Sequence, residues 1–251
     1  MYALITGASS GIGYHCAKIL AEKGYDLIIT ARSVDKLNKL SEEVKKEYNK
    51  EVVIIPLDIS KRENIEELFN KTKDYNIEVV INNAGLGKVG MFYEVTDAED
   101  YNMIDINVTA MHMILKHYAY ALDNAYILTV ASVASFCPGP KMATYYATKN
   151  YIRSYAEALR FELKKMKKNV GVTILAPGPV DTNFNDTANV TFTLKGVAAD
   201  KCASYAIKRM FKKKKFATPK WTVRAATRFM RILPHRVSMK MCYKTQSKKQ
   251  Q

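Results

Sequence analysis

Tyr145 and Lys149 stand four residues apart in a stretch, residues 145–166, whose pattern predicts a helix, so both side chains project from one face. A phenol beside an ammonium is a proton-transfer pair. Tyrosine titrates near pKa ~10 unperturbed and is a poor base near neutrality, but a neighbouring cation favours the phenolate. Bringing the value to about 7 would take ~3 units, roughly 4 kcal/mol of differential stabilisation, a reasonable demand on close positive charge. Tyr146 lacks such a partner, because Asn150 carries no charge. Ser132 lies 13 residues before Tyr145, across the loop 133–144, and offers a hydroxyl to orient a reacting oxygen. Taken singly, each residue has a plainer use, as a core aromatic, a solvated helix charge or a loop hydroxyl.

A second candidate site lies at the start of the chain. Thr6-Gly7-Ala8-Ser9-Ser10-Gly11-Ile12-Gly13 follows an apolar run and leads into a helical stretch. Glycines there let the backbone turn sharply and approach a pyrophosphate, and the helix start supplies unpaired N–H groups and a positive dipole end. Glycines also serve ordinary turns. The strand before and the helix after favour a nucleotide.

These residues need elements to position them. Apolar, β-rich runs at residues 3–6, 27–30, 52–57, 79–82, 127–131 and 172–176 alternate with helical stretches at about 12–23, 34–48, 65–74, 98–122 and 145–166. Two capping boxes, Ser60 with Glu63 and Thr96 with Glu99, predict helix starts just after them. Strands separated by helices imply right-handed βαβ units and a parallel sheet covered on both faces. The expectation is a single α/β domain: a Rossmann-type doubly wound parallel sheet in three α/β/α layers over residues 1–219, with a basic helical C-terminal tail over residues 220–251.

Composition bounds the function classes. The chain has 251 residues, 48% hydrophobic, enough for one well-buried core. Charged residues at 25%, with 11 Gly and 7 Pro, exclude a disordered or collagen-like chain. No apolar run approaches the roughly 20 residues needed to cross a bilayer. A strand at Tyr2 leaves no room for a signal peptide ahead of it. Cys16, Cys137, Cys202 and Cys242 show no C-x-x-C pairing, so neither a metal site nor a disulfide framework is expected, and the expected setting is reducing and cytoplasmic. The net charge of +15 is local: residues 201–251 hold 16 Lys or Arg and no acid, against 23 bases and 24 acids in the first 200 residues. A balanced body offers no extended basic groove, so no nucleic-acid partner is expected.

Taken in order, the motifs resemble the short-chain dehydrogenase/reductase family. The T-G-x-x-x-G-x-G spacing of residues 6–13 is similar to the family's and differs from the more general G-x-G-x-x-G. Asp58 follows the third strand, Asn82-Asn83-Ala84-Gly85 the fourth and Ser132 the fifth, while Asn107 lies in the long helix. Tyr145-x-x-x-Lys149 and Pro177-Gly178 complete a match over about residues 1–185, which leaves the tail outside it.

The resemblance implies an NAD(P)-dependent oxidoreductase that interconverts a ketone and a secondary alcohol by hydride transfer. Tyr145 would give or take the proton and Ser132 would hydrogen-bond the substrate oxygen. Lys149 would hold the nicotinamide ribose and, with the positive nicotinamide ring, lower the Tyr145 pKa. Asn107 would kink its helix and anchor a water that passes protons to Lys149. Gly7, Ser9, Ser10, Gly11, Ile12 and Gly13 would cradle the pyrophosphate, Asp58 and the backbone of Ile59 would meet the adenine, and Asn83, Ala84 and Gly85 would lie beside ribose. Past the turn at Pro177 and Gly178, the backbone of Val180 would bind the carboxamide, with Thr182 on it or the phosphates. Plainer uses stand beside these: Asp58 supporting a helix start, Asn107 a satisfied polar residue, and the proline-rich turn a rigid loop. Pairing through the helices at 98–122 and 145–166, common in the family, implies a homodimer or homotetramer.

Arg32 and Ser33 stand where the second ribose is read. An acid there would bind the 2′-hydroxyl of NAD, whereas arginine offers a fork of donors to a 2′-phosphate. The expectation is NADP(H) over NAD(H), against the alternative of a solvated arginine.

Substrate choice in such folds lies in loops. Those at 133–142, 86–92 and 184–194 contribute Phe136, Cys137, Met142, Met91, Phe92, Phe184 and Phe192, a set suited to a hydrophobic ketone or alcohol such as a steroid or a long-chain acyl compound. In the tail, Trp221, Ala225, Phe229 and Ile232 share one helical face, with Arg224, Arg228 and Arg231 beside it. Pro234 ends that helix, and a second basic stretch runs through Arg236, Lys240 and Lys244. Such a tail can lie on an anionic membrane surface, close over the substrate mouth, contact another subunit, or stay solvated. The first apolar face favours the mouth. The competing function class is a non-catalytic NADP(H)-binding regulator or membrane-surface interaction protein; intact Ser132, Tyr145 and Lys149 favour the enzyme.

Overall fold

Successive side chains of a strand point to opposite faces of its sheet, and in β1 (Tyr2–Thr6) this sends Ala3 and Ile5 into one core and Leu4 into the other. The same division recurs in β2 (Asp26–Ala31), with Leu27 and Ile29 on one side and Ile28 on the other. Both faces are therefore covered. The computed structural model describes residues 1–182, 184, 196–230 and 232–247, without the side chains of Arg228, Met230 and His235.

Six strands follow the sequence runs: β1, β2, β3 (Val52–Pro56), β4 (Ile77–Asn82), β5 (Tyr126–Val130) and β6 (Gly171–Leu175). Beyond them lie a short parallel pair, β7 (Val180–Asp181) with β8 (Val197–Ala198), and β9 (Phe216–Ala217). The main sheet has seven parallel strands in the order β3-β2-β1-β4-β5-β6-β9. On one face pack α1 (Gly11–Glu22), α2 (Val34–Tyr48) and α7 (Ala199–Phe211), through Leu20, Leu40 and Ile207 among others. On the other pack α3 (Arg62–Thr72), α5 (Met111–Ala121) and α6 (Ala143–Lys165), through Leu68, Ile114 and Ile152. The chain ends in α8 (Trp221–Met230) and α9 (His235–Ser247). Among the described residues no helix is long and apolar enough to cross a membrane.

Several expectations need correction. The Thr96–Glu99 capping box forms in full at the start of α4 (Asp97–Ile104), but the one at Ser60 does not. Helix α3 starts after Lys61 without a side-chain cap, because the Ser60 N–H is taken by Asp58 Oδ1 at 3.1 Å in a tight turn. The long helix expected at 98–122 is interrupted by a π-helical turn, Asp105–Ala110, between α4 and α5. The apolar pattern does not mark helix α7, although Ala199, Cys202, Ala203, Ala206, Ile207 and Met210 recur at helical spacing and are buried; the small Ala and Cys that make up most of the stripe hide it. The last sheet strand is only two residues long, and the Lys212–Lys215 run before it is anchored to the body. There Arg160 donates to the Lys213 carbonyl at 2.7 Å, and Lys215 pairs with Glu157.

The tail differs most. Trp221, Phe229 and Ile232 are 76%, 58% and 82% exposed, so the apolar face of α8 does not close on the body. Helix α9 packs there instead. Arg231 lies outside the described residues.

Candidate active site

In the strand order, chain connections leave β1 and β4 toward opposite sides, which opens a crevice at the carboxyl ends of the strands where ligands of such sheets bind. Here it is a cleft of about 600 Å³. Its floor is knotted by hydrogen bonds. Thr6 Oγ1 accepts from the N–H groups of Asn83 and Ala84 at 2.9 and 3.1 Å, and Asn83 Nδ2 donates to the Thr6 carbonyl at 2.9 Å. Gly7 sits at φ +65°, in the left-handed region that favours glycine, and Gly13 lies so close to the Gly7 carbonyl that a Cβ would collide with it. The first turn of α1 opens on the cleft with neither a side-chain cap nor an acidic residue. Free N–H groups and a positive dipole end are what a pyrophosphate needs, so the residues present fit a dinucleotide.

Ser132, Tyr145 and Lys149 meet at the other end of the cleft. Lys149 is buried, its Nζ donating to the Val130 carbonyl at 3.0 Å and lying 5.9 Å from the Tyr145 ring centroid. Burial pushes its pKa from 10.5 down to about 8. Burial also raises the Tyr145 phenol, and its hydrogen bond with Ser132 works in the opposite direction. Burial thus favours the protonated phenol. Ser132 Oγ accepts from the Ala134 N–H at 3.1 Å, which leaves its proton to donate.

Asn107 sits in the π-helical turn, a local widening frequent at functional sites. Its Oδ1 accepts from the Leu86 N–H at 2.9 Å, and its Nδ2 donates to the Leu86 carbonyl at 2.8 Å and to Thr148 Oγ1 at 3.1 Å. The segment after β4 is thereby clamped to α6, one residue before Lys149.

Apart from Gly13 and Asn107, which are buried beside it, the proposed site residues all line this cleft, from Gly7, Ser9, Ser10, Gly11 and Ile12 through Arg32, Ser33, Asp58 and Ile59 to Pro177, Gly178, Val180 and Thr182. Of the apolar residues expected to select substrate, Met142 and Phe184 reach the cleft. Phe136 instead meets the Phe216 ring at a tilt and the Arg153 guanidinium over its own ring, Phe92 is exposed, and Phe192 lies outside the described residues. Leu86, at the start of the expected 86–92 loop, also lines the cleft, whereas sequence reasoning missed Lys36, Tyr146 and Gln246, all on it too. Lys36 was legible as a base one helical turn beyond Arg32; Gln246 carried no signal.

Site and sheet together define a Rossmann-type nucleotide-dependent enzyme. The profile of the short chain dehydrogenase family matches residues 1–191. A dehydrogenase/reductase of the same family from Gallus gallus (SDR family member 11) is 34% identical over 193 residues, covering 72% of this chain and 75% of the relative. A short-chain dehydrogenase from Sphingobium yanoikuyae, solved in complex with NADPH, superposes with a TM-score of 0.82 at 25% identity, covering 91% of each chain. An alcohol dehydrogenase from Thermococcus sibiricus, solved with 5-hydroxy-NADP, gives 0.77 at 31% identity, covering 86% of this chain and 94% of that one. The chain belongs to the short-chain dehydrogenase family, and is an oxidoreductase acting on alcohol and ketone groups with NAD(P).

Burial of Lys149 has a measurable cost. In the unfolded chain it keeps its proton up to about pH 10.5, and in the fold only to about pH 8. The cofactor-free fold is thus penalised in full below pH 8, by on the order of 3 kcal/mol, and the penalty fades as pH rises toward 10.5. Urea unfolding of cofactor-free Lys149→Met should show greater stability than wild type at pH 7, with the margin narrowing at pH 9.5. A margin independent of pH would contradict this origin.

Proposed function

We propose that the protein interconverts a bulky, apolar ketone and its secondary alcohol with NADP(H), through Ser132, Tyr145 and Lys149. The observation that carries this reading is the convergence of those three side chains at one end of a cleft whose other end presents Arg32, Ser33 and Lys36. Bound dinucleotide supplies the hydride and, once oxidised, a positive ring. The protein does the rest. Ser132, its oxygen engaged by the Ala134 N–H, donates to the substrate oxygen and fixes its position. Tyr145, held neutral by burial, delivers the proton to that oxygen as negative charge develops there. Lys149 holds the ribose hydroxyls and restrains the phenol in the reverse direction. Asn107 acts as a positioning residue through Leu86 and Thr148, and anchors the water that passes protons to Lys149.

Arg32 and Lys36 pair with a 2′-phosphate in this reading, as the NADPH held by the Sphingobium yanoikuyae relative makes reasonable. Asp58 and Ile59 take the adenine, and Val180 and Thr182 the carboxamide. A substrate such as a steroid suits the apolar lining of Leu86, Met142 and Phe184. Residues 1–219 form the catalytic unit and residues 220–251 an added tail. The exposed Tyr101, Tyr120, Tyr151 and Phe161 on α4, α5 and α6 support pairing of subunits through those helices. The setting proposed is reducing and cytoplasmic, as expected from cysteines that show no C-x-x-C pairing. The tail supports one addition. Exposed Trp221, Phe229 and Ile232 beside a run of bases suit peripheral contact with an anionic membrane.

Tyr145→Phe should lose the proton donor while keeping NADPH affinity. Its kcat should fall below about a tenth of wild type, and a loss smaller than ~1.4 kcal/mol would rule out the assigned acid. Arg32→Asp should shift preference toward NAD(H), read as kcat/KM for both cofactors on both proteins; a wild type that prefers NADH would refute the assignment. For the tail, the full chain should co-sediment with anionic liposomes at low salt. It should release as the Debye length shortens from ~10 Å at 0.1 M to ~3 Å at 1 M, and Trp221→Ser with Phe229→Ser should lose the binding. Absence of sedimentation at low salt would eliminate the membrane contact.

A further inference from the structure

Helix α9 is packed the wrong way round for an ordinary amphipathic helix. Ser238, Cys242 and Gln246 recur every fourth residue and are buried, while Val237, Met241 and Tyr243 are exposed. Hydrophobic burial therefore does not explain the face it presents to the body; specific contacts do. Cys242 Sγ lies 3.5 Å from Cys137 Sγ on the substrate loop, and Lys141 Nζ sits 5.4 Å from the Tyr243 ring centroid. Gln246 Nε2 donates to the Tyr146 hydroxyl at 2.7 Å. Gln246 is only 2% exposed and lines the catalytic cleft, yet its Oε1 has no hydrogen-bond partner among the described residues. A buried amide oxygen left unpaired is costly, and the side chain that carries it lines the space a substrate enters.

Its partner is fixed in place. The Tyr146 ring lies against Gly139, where any Cβ would overlap it, and its centroid is 6.2 Å from that of Tyr145. Asn150, one turn further along α6, donates to the carbonyls of Ala134 and Cys137 at 3.1 and 3.2 Å and holds the loop that carries Gly139. The Gln246 amide is thus aimed by a rigid phenol next to the reacting tyrosine.

We propose that Gln246 is a specificity-determining residue, whose Oε1 accepts a hydrogen bond from a hydroxyl that the substrate carries away from its reacting carbonyl. The inference rests on Tyr145 and Ser132 marking the reacting end, and it narrows the substrate class from a bulky ketone to a bulky hydroxyketone. A site built to pair a substrate hydroxyl discriminates against the analogue lacking it.

The test uses the full-length wild-type protein and Gln246→Met with NADPH. The substrates are a rigid polycyclic ketone, a set of its isomers each bearing one hydroxyl one or two rings from the carbonyl, and a matching diketone. The readout is the ratio of kcat/KM for the hydroxylated over the plain ketone, which a merely structural role of Gln246 does not move. Wild type should favour one isomer on the order of tenfold, and Gln246→Met should bring that ratio near one. A wild-type ratio near one for every isomer, or a ratio that survives in Gln246→Met, would overturn the proposal, as would preference for the diketone, which needs a donor instead of an acceptor. The wild-type ratio decides even if the variant does not fold. Should no ketone be turned over, the proposed reaction fails but the subsite is still read: calorimetric titration of the same compounds into NADPH-loaded wild type should show the favoured isomer binding on the order of tenfold tighter, and equal affinities would overturn it.

Discussion

An ammonium buried under the central strands sets the terms for the rest of the site. Lys149 has the Val130 carbonyl as its hydrogen-bond acceptor, and burial alone draws its proton affinity down. Such a group is tolerated only where surrounding structure leaves it no alternative. The surroundings are correspondingly stiff. The segment after β4 passes close by at Gly85, where a Cβ would lie 3.0 Å from Lys149 Nζ and 3.1 Å from Asn107 Oδ1. Asn107 in turn is held in the π-helical turn by both polar atoms of Leu86. The widened turn, the glycine and the doubly bonded asparagine read as one device for seating a cation beside a phenol.

The same dry environment acts on both members of the pair: burial raises the Tyr145 phenol and draws the Lys149 ammonium down. Both shifts disfavour charge, and the Ser132 hydrogen bond works against the first of them. In the proposed reaction, a positive nicotinamide ring would join Lys149 in drawing the phenol down.

Much of this was legible in the sequence, for identifiable reasons. Strands buried on both faces show as plain apolar runs, and a glycine cradle or a four-residue Tyr–Lys spacing is short-range information. Helix α7 is hard to see because most of its stripe is Ala and Cys, and the Ser60 box does not close because Asp58 accepts from the Ser60 N–H that Glu63 would have taken. The tail misled for a different reason. Its helical periodicity was read correctly, but amphipathicity names an apolar face without saying what covers it. The helix that reaches the cleft does so through Gln246, with Ser238 and Cys242 buried on the same face, residues no hydrophobic pattern marks. Long-range polar contacts leave no local trace.

The small pair formed by β7 and β8 has a consequence for how such a protein can diverge. It joins Val180 to Val197 and Asp181 to Ala198, so positions far apart in the chain are held side by side next to the cleft that Val180 lines. The entropy of closing a flexible loop grows only with the logarithm of its length, about 0.6 kcal/mol per doubling. Insertions and deletions between the two strands therefore cost little, and the pairing can hold while the register of the main sheet stays as it is. Chain length at that point and stability of the fold are thereby nearly decoupled.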